Sequence, residues 1–257
     1  MISNLLSHHA NEAAARYGRL IDSWQSHFNT SLNDDDFGTS THVARFIERV
    51  VGEAHLFMED EALIAKSVFT EIAKEAHHAT LRDLSITPPD ELPERVSDLM
   101  SASFDYYLAQ LSAQLMRDVA TIRNAAQRVA LETFASSRSR GISQRSAMIE
   151  YRIGSHAVLE FFFHDRAGRK WSSRKLVRSI YRHTLLSTYN ESVMLTLVDN
   201  NLRRARVVHE DVNAQFHNMI ISFGANSEAP IYSEIRDTVF HPNSNAILAM
   251  ESSDVSA

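Results

Sequence analysis

The chain reads as mainly α-helical, with an extended helical N-terminal region followed by a small α+β domain. Three observations carry this expectation. The 257 residues include only 7 Gly and 5 Pro, too few to interrupt the first half often. Apolar residues in that half recur every three or four positions, the period of a helix with one buried face. Short β-branched and aromatic runs occur only in the second half, between turn-forming residues.

Element by element, residues 3–28 predict an amphipathic helix, with Leu6, Ala10, Ala13, Ala14, Tyr17, Leu20, Ile21 and Trp24 on one side. The acidic stretch Asn33 to Gly38 breaks it. Thr39 or Ser40 can cap a second helix carrying Val43, Phe46, Ile47, Val50 and Val51. The same pattern resumes from Glu59 to about Asp83 with Ile64, Val68, Ile72 and Ala76, and Thr87-Pro88-Pro89-Asp90 ends it. Residues 93–135 then predict either one spine of roughly forty residues, running from Val96 through Tyr107, Leu115 and Ile122 to Phe134, or two helices joined by a bend.

The small, polar and basic segment Ser136 to Gly141 predicts a linker, which sets the expected domains at 1–135 and 136–257. Ser143 caps a short helix ending near Ile153 and Gly154. Ala157 to Phe163 predicts a strand, and Ser172 or Ser173 opens a helix to about Asn200. Arg206 to His209, Met219 to Phe223 and Ala246 to Met250 predict further strands.

Charge is uneven. The net charge is -6, yet residues 136–206 hold 14 basic and 5 acidic side chains. Such a block suits a phosphate backbone or an acidic protein surface, unless the acidic flanks neutralise it. With no cysteine, disulfides, thiolate metal sites and a cysteine nucleophile are excluded. The first residues lack the basic-then-apolar pattern of a signal peptide, and no window approaches a membrane span, so neither secretion by signal peptide nor a membrane is expected.

Few residues carry chemistry. Asp165, Gly168, Arg169 and Trp171 form a turn in which Asp165 accepts backbone N–H groups and Gly168 supplies a positive φ. Arg174, Lys175, Arg178 and Arg182 fall at helical spacings and predict a basic stripe for a partner or DNA. His209, Asp211, His217 and His241 are the one constellation that resembles a metal site, but their spacing matches no compact ligand motif, and ordinary polar packing is the favoured account. No phosphate-binding glycine loop, nucleophile elbow or His-Glu-x-x-His helix occurs. Neither a catalytic residue nor a cofactor is expected.

The order Asp165-x-x-Gly168-Arg169-x-Trp171, a helix bearing Arg182 and Asn190, Val208-His209-x-Asp211, Gly224, Tyr232 and His241-Pro242-Asn243 resembles the C-terminal domain of the minor head, or head-morphogenesis, proteins of tailed bacteriophages, over about residues 140–250. Ser244 stands where that family typically has cysteine, and Phe216-His217 where Cys or His often stands. The resemblance implies a low-copy structural protein of the virion, at the capsid interior or portal vertex after assembly in the host cytoplasm. It would work with the portal and major capsid protein in head assembly, DNA packaging or ejection, and as a homo-oligomer in one arrangement. Two other classes compete. A nucleic-acid-binding protein would use the basic 136–206 segment, although no run in the sequence interleaves aromatic and basic residues. An ADP-ribosyltransferase-like enzyme would need a Glu-x-Glu pair, and the C-terminal region has none.

Overall fold

The computed structural model of the chain describes residues 2–154, 159–165, 167–224, 228–241 and 243–251. Helices α1 (Ile2–Leu32), α2 (Ser40–Asp83) and α3 (Glu94–Arg140) come first, then α4 (Gln144–Gly154). Strands β1 (Phe162–His164) and β2 (Lys170–Ser172) precede α5 (Ser173–Asp199), and β3 (Arg204–Val208), β4 (Ile220–Ser222), α6 (Tyr232–Val239) and β5 (Ile247–Met250) complete the order. The fold is mainly α with a small antiparallel sheet region near the C-terminus, as the apolar periodicity predicts.

Helix α3 is a single helix of 47 residues, so the spine alternative holds and the bend does not. It also continues through Ser136–Arg140, where composition predicts a linker. Serines are tolerated there because a hydroxyl can bond back to the preceding turn, as Ser139 Oγ does to the Ser136 carbonyl at 3.2 Å. The helix ends at Gly141, whose φ of +65° is the left-handed conformation that glycine adopts without strain. Phe134, expected on the buried side, is 51% exposed, with the Arg138 guanidinium over its ring. Ser143 caps α4 as predicted, its hydroxyl accepting from the Ser146 N–H at 3.0 Å. In the strand expected over 157–163, Ala157 and Val158 lie outside the described residues, and the pairing begins at Phe162.

The chain divides into two compact units. The first comprises Met1–Glu12, Ala62–Gln110 and Arg178–Ala257; the second comprises Ala13–Glu61 and Leu111–Val177. In the first, Phe69, Tyr107 and Tyr181 pack as an aromatic cluster, with the two tyrosine rings edge-on at 4.6 Å. The sheet of this unit has the order β4-β3-β5, all antiparallel. Ala205 pairs with Ile221 and Val207 with Leu248. All four are buried, because alternate residues of a strand share one face.

In the second unit, Phe28, Phe37 and Phe46 form a three-ring cluster with centroids 5.5–6.1 Å apart. Each such ring contributes on the order of 2 kcal/mol by leaving water. Arg16 meets the buried Glu61 through two hydrogen bonds of 2.7 and 2.9 Å, the forked geometry that suits a guanidinium and a carboxylate. At Gly38 the packing leaves no space for a side chain, since an added Cβ would lie 2.5 Å from Thr133 Oγ1.

Candidate functional site

The turn between β1 and β2 is built on one carboxylate. Asp165 Oδ1 accepts the N–H groups of Ala167 and Arg169, each at 2.9 Å. Its Oδ2 accepts Arg169 Nε at 2.7 Å and Trp171 Nε1 at 3.1 Å. Gly168 has a φ of +76°. Four donors on one side chain explain why this acid stays charged: the Arg169 backbone N–H leads in holding it down at about 2, helped by the Arg169 and Trp171 side chains.

On α5, within the first unit, Arg182 and Asn190 hold the closing segment of the chain. Arg182 donates to Asn245 Oδ1 at 2.6 Å and, through Nε, to Ser7 Oγ at 3.3 Å. Asn190 Oδ1 accepts the Leu248 backbone N–H at 2.9 Å. The segment reinforces itself: His241 Nδ1 accepts the Asn243 N–H, and Ser244 Oγ accepts the Ala246 N–H. Pro242 lies outside the described residues. Both anchoring side chains are buried, and burial pushes the Arg182 guanidinium below its ordinary range, with the neighbouring Arg178 charge acting the same way.

The expected basic stripe is therefore not uniform. Arg174 and Lys175, in the second unit, are exposed, and the Arg174 side chain lies close against Gly18. Arg178, in the first unit, is exposed and donates to Asn11 Oδ1 at 2.5 Å. Arg182 is 5% exposed and faces the interior of its unit.

His209, Asp211 and His217 sit in one loop, and each accepts one backbone N–H there. His217 Nδ1 accepts the His209 N–H, His209 Nδ1 accepts the Asp211 N–H, and Asp211 Oδ1 accepts the Asn213 N–H. Among the described residues no group of three or more His, Asp or Glu side chains is placed to hold a metal ion.

Two polar clusters escape a reading of the sequence. In the second unit, buried Asp118 accepts Tyr17 Oη at 2.6 Å, Ser173 Oγ at 2.9 Å and Gln114 Nε2 at 3.1 Å. Burial raises the Asp118 carboxyl, against the pull of those donors and of Arg117; it also raises the Tyr17 hydroxyl, with the Asp118 charge adding to the rise. In the first unit a cleft of about 240 Å³ is lined by Ser103, Tyr106, His183, Ser187, Glu191 and Arg236, among others. Glu191 and Arg236 pair at 2.9 Å. Burial and the Arg236 charge lower the His183 imidazole, and burial raises Glu191. The spacing His183, Ser187, Glu191 puts three polar groups on one helix face, which is the signal that could have found this cleft. For Asp118 there was no such signal, since its partners lie up to 101 residues away in sequence.

No protein-family model matches the chain, and neither a curated protein nor a solved structure is significantly similar to it. Among the described residues no helix is long and apolar enough to cross a membrane.

Proposed function

We propose that this chain is a structural minor head protein of a tailed bacteriophage, acting with the portal and the major capsid protein in head assembly. The observation that carries the reading is the way α5 binds the end of the chain. Arg182 and Asn190, two residues of the resembling pattern, reach Asn245 and the Leu248 N–H just beyond the His241-Pro242-Asn243 element. The Asp165 turn supports the same reading, because it uses Asp165, Gly168, Arg169 and Trp171 together.

The role is one of structure and docking. Long helices offer side chains such as Leu63 and Ile64 in the first unit and Met116 and Leu131 in the second, all exposed, which suits contact with neighbouring subunits. The test is made on particles. The chain is expected in purified heads or their precursors by mass spectrometry, and its deletion is expected to leave heads defective in assembly or genome content. Its absence from every particle form, with assembly unaffected by the deletion, would overturn the proposal.

A further inference from the structure

We propose that the β1–β2 hairpin is a binding platform for single-stranded nucleic acid, with bases stacking on its aromatic rings and phosphates taken by the cations beside them. The inference rests on no part of the assembly reading; it comes from the hairpin and the cations of α3 and α5 beside it. In sequence the rings of Phe161, Phe162, Phe163 and His164 precede the cations of Arg169 and Lys170, with Trp171 following them. Antiparallel pairing sets His164 opposite Lys170, with Phe162 on the same face opposite Ser172, while Phe163 opposes Trp171 on the other face.

The result is two cation–ring pairs within the hairpin, one on each face, and a third that Arg117 makes from α3. Lys170 Nζ lies 4.0 Å from the Phe162 ring centroid, the Arg117 guanidinium 5.4 Å from that of Phe163, and the Arg169 guanidinium 6.0 Å from Trp171. The His164 ring stands edge-on to Phe162 at 5.0 Å, and His164 is exposed. A shallow cleft of about 400 Å³ opens along Glu160, Phe161, Phe162, Lys170 and Ser172. Lys175 and Arg174 add exposed positive charge at the start of α5.

Charge favours a polyanion. Arg169 and Asp165 neutralise each other within the turn, which leaves Arg117, Lys170, Arg174 and Lys175 against Glu160 and the buried Asp118. The Lys170–Glu160 pair, 2.9 Å long with both side chains more than half exposed, is a surface pair of the kind that exchanges readily for another anion. A planar ring with a mobile cation over it offers what one nucleotide needs: a face for the base and a charge for its phosphate. An acidic peptide would use the cations and leave the rings idle. A duplex hides its bases from the rings, so the single strand is the occupant.

The experiment measures fluorescence anisotropy of a labelled oligothymidylate of about twenty nucleotides against the full chain across a salt series, with a duplex of equal length and polyglutamate as competitors. Expected is preference for the single strand over both, with a salt slope of roughly -2 to -3, as for about four phosphates neutralised. Lys170→Glu with Lys175→Glu should weaken binding at least about tenfold and flatten the slope. Phe162→Leu with His164→Ala should weaken it about fivefold or more at an unchanged slope. The control Lys66→Glu with Lys74→Glu, exposed charges on α2, should change neither. Because a substitution can loosen the hairpin, quenching of Trp171 emission by the oligonucleotide in the unaltered protein is the second readout. No binding at low salt, equal or tighter binding of the duplex or polyglutamate, undiminished binding by the hairpin variants, or no quenching of Trp171 would each overturn the proposal.

Discussion

At the scale of single residues, Asp165 decides whether the hairpin exists. Its carboxyl sits below the ordinary carboxylate range because the folded turn supplies donors that the unfolded chain lacks. The contribution is therefore present above the unfolded value of about 3.9 and is lost as pH falls toward 2. We expect the indole N–H resonance of Trp171, bonded to Oδ2, to keep its shift through the ordinary carboxylate range and to move toward the exposed position only as pH approaches about 2. Asp165→Asn should remove that transition and weaken the Arg169 contact, while an amide oxygen still accepts the two backbone N–H groups. Trp24 serves as the internal reference, since it is buried and is the other of the two tryptophans. An Asp165→Asn protein with the same acid transition would refute this account.

At the scale of elements, two close approaches set the packing. Gly38 leaves no room for a methyl group against Thr133 Oγ1, and Thr133 is itself held by a 2.8 Å bond to the Val129 carbonyl. Gly38→Ala should cost roughly 1–3 kcal/mol in a thermal melt. Thr133→Ala should recover part of that loss in the double variant, giving a coupling that independent sites would not show. The other approach is β5 to α5. Asn190→Ala leaves the buried Leu248 N–H without its acceptor, a loss of about 1–3 kcal/mol. Amide exchange should accelerate first in Ile247–Met250, with α1 and α2 protected as before; uniform acceleration across the protein would contradict the local role assigned to Asn190.

At the scale of the whole molecule, the buried Asp118 network contributes to how stability responds to pH. Burial raises this carboxyl above its unfolded value, so the folded protein holds the proton where the unfolded chain has already lost it. Stability is then fully present below the unfolded value of about 3.9 and declines as pH rises through the raised one. Urea titrations at a series of pH values should show this decline, and Asp118→Asn should flatten it. An unaltered slope in the variant would place the titration elsewhere. Both units draw on the long helices, and their legibility differs for a physical reason. Helices α1, α2 and α3 were readable because burial of one face imposes a 3.6-residue period on adjacent residues. The turn at Asp165 and Gly168 was readable because its chemistry is local. Helix α6, at 8 residues, is too short to announce itself, since nucleation outweighs propagation at that length; burial of Tyr232 and Val239 holds it. Strand β2 is charged and half exposed, and only its register with β1 makes it a strand. The sequence by itself determined the helical class, the basic block and the local turn. Only the tertiary structure decided that Arg182 lies inside, that Asp118 is buried among partners distant in sequence, and that Lys170 lies over the Phe162 ring, because burial and strand register depend on what the rest of the chain brings alongside.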